Sequence, residues 1–290
     1  MKKVIQRMKN WFKRILGLQK EVSGGGTGEG VTPAGKYRKV VQGSTQGWYG
    51  RVNYWTRDKS TLTKELDAIV RHGATGYMIE MAGWADSTGK MWTDGWLKDI
   101  ESMYDWLLAE CRARKLWLFV SIVNDNMGKG KYGDKGPELA KVYDKAQKLV
   151  KIVKDGGKDG VYVQPVAETQ TSAGAKFEQY CIQQLNGFPL VYNGNGGHPT
   201  KIAAGMSAYA VHPSRIAAPN PGNAFAISDH GLIIRELNIG GSISGHGDPV
   251  RIRKWASNVK SQGCPVCGYY AFQVKDFDND AIKALGNSLK

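Results

Sequence analysis

The sequence predicts an α/β fold, a (β/α)8 TIM barrel preceded by an N-terminal amphipathic helix and a Gly-rich linker. Three observations carry this reading. Eight apolar runs have strand length, helical patterns separate several of them, and Gly73, Gly156, Gly157, Gly187 and Gly263 fall where helices should stop. Strands that alternate with helices pair in parallel through right-handed crossovers, and near-continuous apolar strands imply a sheet covered on both faces. At 290 residues the chain fits one such barrel without requiring a second domain.

Residues 1–22 read as a basic amphipathic helix. Lys2, Lys3, Arg7, Lys9, Lys13, Arg14 and Lys20 precede any acidic residue and supply half of the formal net charge of +14. Val4, Ile5, Met8, Trp11, Phe12, Ile15 and Leu16 recur at the three-and-four spacing of one helical face. Charges interrupt the apolar residues, so the segment does not read as a secretory signal. Residues 23–46 read as a flexible linker, because SGGGTGEG at Ser23–Gly30 is too Gly-rich to hold a helix. A stripe of this kind needs a cover. It suits an anionic membrane surface or the groove of a protein partner, reached through Met1–Leu18.

The barrel is expected over 47–290. Its strands are WYGRVNYW (Trp48–Trp55), GYMIEM (Gly76–Met81), LWLFVSIVN (Leu116–Asn124), GVYVQP (Gly160–Pro165), PLVYN (Pro189–Asn193), AYAVH (Ala208–His212), GLIIREL (Gly231–Leu237) and GYYAFQ (Gly268–Gln273). Helices are expected at Thr61–His72, Leu97–Arg114, Leu139–Val153, Ala173–Leu185, Val250–Val259 and Asp280–Leu289. The first opens on a Ser/Thr cap and carries Leu62, Leu66, Ile69 and Val70 on one face. Only a short helix, Thr200–Gly205, fits after the fifth strand, and Pro219 and Pro221 block one after the sixth. An open doubly wound sheet is the fallback, but no Gly-x-Gly-x-x-Gly turn follows the first strand.

Other function classes find little support. No apolar run approaches the ~18 residues that cross a bilayer, so the body is expected to be soluble. Cys111 and Cys181 sit in helical patterns as small core residues. Cys264 and Cys267 form a CPVC with neither a second CxxC nor a spaced His pair, and no metal or cofactor is expected. The charge suits nucleic acid, but no nucleic-acid motif accompanies it, and that partner is unlikely.

In a barrel the loops after the strands' C-terminal ends form the active face. Polar residues ending apolar strands are therefore the candidates: Glu80, Asn124, Asp125, Glu168, Asn193, His212, Glu236, Gln273 and Asp276. Glu168 ends strand four and Glu236, in LIIRELN, ends strand seven. From Trp48 to Leu285 the order of elements resembles the cellulase-like (β/α)8 glycoside hydrolases, the clan that includes family 5. LTKELDAIVRHGATGYMIEM is similar to the clan's first helix leading to strand two, AVHPS to its strand-six end, and GYYAFQ to its strand eight.

The resemblance implies a Glu acid/base ending strand four and a Glu nucleophile ending strand seven, which are Glu168 and Glu236 here. Two carboxylates suffice for retaining hydrolysis when one stays protonated for the leaving oxygen and the other ionised for the anomeric carbon. His212 and Tyr192 are placed to bond the nucleophile or the sugar. Trp84, Trp92 and Trp96, on the loop after strand two, are placed to stack on sugar faces. Asn124, Asp125, Asn193, Phe272 and Gln273 complete the substrate-binding set. The sequence departs from the clan at Ala167, where Asn usually precedes the acid, and at Phe272 and Gln273, where Trp is usual. A noncatalytic barrel that binds glycan or serves a virion or surface assembly, docked by its N-terminal helix, is the alternative from another class.

Overall fold

A computed structural model of the chain describes residues 38–42, 58–82, 94–124, 136–167, 169, 171–193, 206, 208–211, 231–234, 249–250, 252–253, 257, 266–269 and 280–288. All of them lie in the larger of two compact units, Val31–Lys290. The expected N-terminal helix lies outside the described residues. Among those described, no helix is long and apolar enough to cross a membrane.

The elements run β1 (Arg38–Gln42), α1 (Lys59–Arg71), β2 (Gly76–Ala82), α2 (Asp94–Ala113), β3 (Trp117–Asn124), α3 (Gly136–Gly156), β4 (Val161–Ala167), α4 (Ser172–Gln184), β5 (Val191–Tyr192), β6 (Ala208–Val211), β7 (Gly231–Ile234), β8 (Val266–Tyr269) and α5 (Asp280–Asn287). Strands two to seven appear within or over the predicted apolar runs, whereas β8 begins two residues before the expected Gly268 and shares only Gly268 and Tyr269 with GYYAFQ. Helical residues at Pro249, Val250, Ile252, Arg253 and Ser257 fall within or beside the expected Val250–Val259 helix.

The first strand is a correction. β1 is RKVVQ, inside the segment assigned to the linker, and it pairs in parallel with both β2 and β8. Its apolar run is only Val40 and Val41, between the charged Arg38 and Lys39 and the polar Gln42, which hides it from a periodicity search. WYGRVNYW lies outside the described residues. A barrel boundary at 46/47 therefore cuts off a strand that sits between two others.

Every described pairing is parallel. One sheet has the order β4-β3-β2-β1-β8 and a second β5-β6-β7. A bridge between Val163 and Leu190 joins the sheets, with the Val163 amide donating to the Pro189 carbonyl at 3.0 Å. At the other end β7 packs beside β8. These are parallel strands curled in the sequential neighbour order of a (β/α)8 fold.

Burial on both faces explains the apolar strands. All seven residues of β2 are buried. Tyr77, Ile79 and Met81 face the helices with Leu118, Val120 and Ile122 of β3, where Leu62, Leu66 and Ile69 of α1 are fully buried. Each such aliphatic side chain contributes roughly 1.5–3 kcal/mol. Val70, expected on this face, is instead 38% exposed. The opposite face holds a smaller cluster of Val40, Met78, Phe119 and Val191, with Trp117 and Tyr162 against it.

Local signals set the helix ends. Asp58, rather than a Ser or Thr, caps α1, its carboxylate accepting from the Thr61 amide at 3.0 Å. Gly73 follows α1 at φ +81°, a conformation that costs glycine little. At the N-terminal end of the strands the Lys39 ammonium, 8% exposed, donates to the Gly286 carbonyl of α5 at 2.6 Å. This satisfies an oxygen that the last helical turn leaves unpaired.

A Cβ on Gly286 would stand 1.4 Å from the His72 carbonyl oxygen. Gly286→Ala is expected to destabilise the fold by about 1–3 kcal/mol through overpacking. Urea denaturation should show a lower midpoint with an unchanged slope. An unshifted midpoint would mean that α5 does not cross α1 this closely.

Candidate active site

Strand alternation carries polar side chains onto the inner face, the one bearing Met78, Phe119, Tyr162 and Val191. Two residues beyond each of these stand Glu80, Ser121, Gln164 and Asn193. Register aligns Glu80 with Ser121 and Ser121 with Gln164 across three strands. All four are buried, Ser121 and Asn193 completely. Below them Tyr162 stacks on Phe119 at 4.8 Å and meets Trp117 edge-on at 4.9 Å. The interior thus has an aromatic layer and, one strand repeat closer to the C-terminal ends, a polar layer.

Buried polar groups require partners, and Ser121, Gln164 and Asn193 supply them to one another. The Gln164 amide nitrogen donates to the Ser121 hydroxyl at 2.9 Å. The Gln164 carbonyl oxygen accepts from the Asn193 amide at 3.3 Å. One side chain on β4 therefore ties β3 to the residue that follows β5, across the junction of the two sheets.

The junction continues to the end of β4. Ala167, fully buried, is paired in register with Asn124, and the Thr169 amide donates to the Asn193 carbonyl at 2.9 Å. The Thr169 hydroxyl turns the other way and donates to Glu178 of α4 at 2.5 Å. Glu178 is 3% exposed. Thr171 then caps α4 by accepting from the Gly174 amide at 3.0 Å. Burial, and after it the Glu178 charge, raises the pKa of the Tyr192 phenol and of the Cys181 thiol.

The predicted site residues divide accordingly. Glu168, Glu236, Trp84, Asp125, His212, Phe272 and Gln273 lie outside the described residues, as do Trp92 and Asp276. The backbone of Asn124 ends β3. Asn193 is in the inner polar layer and is hydrogen bonded there, with no solvent exposure. Tyr192, expected to reach sugar or nucleophile, packs on the opposite face, against the helix-facing core and near Glu178. Trp96, expected on a loop, belongs to α2. Among the described residues no group of three His, Cys, Asp or Glu side chains could hold a metal ion.

Three polar residues that build this region were missed from sequence. Ser121 and Gln164 interrupt otherwise apolar strands, and Glu178 falls on the buried stripe of α4 with Gly174, Phe177 and Cys181. A polar residue where the period demands an apolar one was the available signal.

Neither the known protein-family models nor the curated proteins contain a match to the sequence. Solved structures do resemble the fold. An endo-1,4-β-mannanase from Rhizomucor miehei aligns with a TM-score of 0.51 at 11% identity, over 74% of this chain and 83% of that one. An endo-β-1,4-mannanase from Thermotoga petrophila aligns at 0.58 and 10%, over 87% and 76%. A glycoside hydrolase family 5 lichenase from Caldicellulosiruptor sp. F32, solved with cellotetraose, aligns at 0.58 and 10%, over 87% and 93%. The chain shares the α/β fold of these two mannanases and of the family 5 lichenase.

Gln164→Leu removes a partner from both Ser121 and Asn193 while leaving them buried. The expected cost is about 1–3 kcal/mol, measured by chemical denaturation. Unchanged or increased stability would mean that the interior network does not hold the two sheets together.

Proposed function

We propose that the chain closes into a (β/α)8 barrel and acts as a retaining glycoside hydrolase on an oligo- or polysaccharide, with Glu168 as general acid/base and Glu236 as nucleophile. The observation that carries this is the bracketing of position 168. Gln164 lies on the inner face, and the Thr169 hydroxyl is held from the helix side by Glu178. In this proposal residue 168 turns to the interior at the C-terminal end of β4, opposite in sense to the Thr169 hydroxyl. Glu236 follows β7 by two residues, at the same end of its strand. The fold shared with mannanases and a lichenase supports the same chemistry.

In this mechanism Glu168 gives its proton to the departing glycosidic oxygen while Glu236 attacks the anomeric carbon. A glycosyl-Glu236 ester forms and the leaving chain departs as an alcohol. Glu168, now ionised, takes a proton from water as the water's oxygen displaces Glu236. Ala167 offers no hydrogen bond to the sugar 2-hydroxyl, so recognition at that carbon falls to other side chains, with Trp84, Asn124, Asp125, His212, Phe272 and Gln273 as the candidates.

We further propose that Met1–Leu18 docks the enzyme on an anionic membrane surface, because its face of Lys and Arg opposes one bearing Trp11 and Phe12. Co-sedimentation of Met1–Lys20 with anionic but not neutral liposomes is expected. Sedimentation with neither would remove the membrane reading.

A glycan hydrolysis screen comparing wild type with Glu168→Gln and Glu236→Gln tests the chemistry. Each substitution should lower the turnover of a glycan by at least about 10²-fold. Activity that survives both would remove the assignment, and wild type inert on every glycan would favour a noncatalytic barrel.

A further inference from the structure

Two buried carboxylates occupy apolar-stripe positions on helices. Glu65 of α1 accepts from the Tyr77 hydroxyl at 3.0 Å near the start of β2. Glu178 of α4 accepts from the Thr169 hydroxyl at 2.5 Å, beyond the end of β4. The first lies toward the barrel's N-terminal end, where bonds serve stability. The second lies one residue from the proposed acid.

We propose that Glu178 and Thr169 form a positioning clamp for Glu168, a role that rests on the reading of Glu168 as the acid/base. Residue 168 has both its chain neighbours fixed. Ala167 is buried at the end of β4, and Thr169 is held twice, through its amide by Asn193 and through its hydroxyl by Glu178. Asn193 is itself held by Gln164, and Gln164 by Ser121. The clamp therefore runs from a helix, through Thr169, into the interior polar layer. Glu178 is 3% exposed, so its acceptor oxygen meets little competing water, and the bond from the part-buried Thr169 hydroxyl is correspondingly favoured. An acid held in this way meets the glycosidic oxygen at one place, and proton transfer is steeply sensitive to that distance.

In this proposal the clamp acts on substrate only through Glu168, so its loss should be felt in the steps that use Glu168. The test uses the full-length chain with Thr169→Val, Thr169→Ser, Glu168→Ala and Tyr77→Phe, the last removing the analogous bond to Glu65. Each is assayed as kcat/KM, which reports formation of the glycosyl-enzyme and not the later hydrolysis that uses Glu168 as base, on a glycan that wild type cleaves and on the 2,4-dinitrophenyl glycoside of the same sugar, whose leaving group departs without a proton. Thr169→Val should slow glycan hydrolysis about 10- to 100-fold while leaving the dinitrophenyl substrate within about threefold. Thr169→Ser should restore the glycan rate, and Tyr77→Phe should show no dependence on leaving group. Deuterium uptake in a peptide spanning residues 167–171 should rise roughly tenfold in Thr169→Val and remain unchanged in Tyr77→Phe.

Unchanged uptake in Thr169→Val would remove the clamp, whatever the enzyme's activity. A leaving-group dependence in Glu168→Ala that Thr169→Val lacks would overturn the positioning role and leave the acid intact. Equal losses on both substrates in Glu168→Ala, or no glycan cleaved by wild type, would overturn the acid reading and the clamp with it.

Discussion

The junction between β4 and β5 is the constraint on which the rest of the structure depends. The five-stranded and three-stranded sheets meet there, and β5 is only two residues long. Few backbone hydrogen bonds are available to such a strand. The Val163 amide to Pro189, the Thr169 amide to Asn193 and the Gln164 side chain to Asn193 supply the connection over the length of β4. Leaving any of these groups buried without a partner costs more than the bond itself contributes, so the junction is specified by satisfaction as well as by attraction. Thr169, the next residue in sequence after the proposed acid, marks the C-terminal limit of this junction.

Apolar packing and polar bonding divide the molecule between them. The helix-facing side of the sheets packs into a continuous apolar core, which stabilises by burial but fixes side-chain positions only through shape. The inner face gives up apolar area to Glu80, Ser121, Gln164 and Asn193, and in return fixes register. At the N-terminal end, Lys39 and Gly286 hold α5 against β1. At the C-terminal end, Thr169 couples the interior to α4.

How much of this was legible depended on burial. Strands covered on both faces print their identity as apolar runs, which is why β2, β3 and β4 are found within one or two residues of expectation. β1 prints almost nothing: two valines between Arg38, Lys39 and Gln42, with Lys39 bonded to a helix end far along the chain. Its role comes from neighbours that no local pattern reveals. Tyr192 and Asn193 are adjacent in sequence, but alternation sends them to opposite faces, and reading both as substrate ligands ignored that period. Glu178 was passed over because a Glu in a helix is usually solvated, although its stripe position marks it as buried. Glu168 and Glu236 are read from strand ends alone, and both lie outside the described residues.

The central claim is that a ring of parallel strands brings the carboxyl groups of Glu168 and Glu236 to face one another across one sugar. Their separation, measured crystallographically in the full-length chain, tests this most directly. The account predicts about 5–5.5 Å, the spacing that lets one carboxyl attack while the other protonates. Carboxyl groups directed to different faces of the barrel wall, or each engaged in a buried ion pair with Lys or Arg, would contradict it.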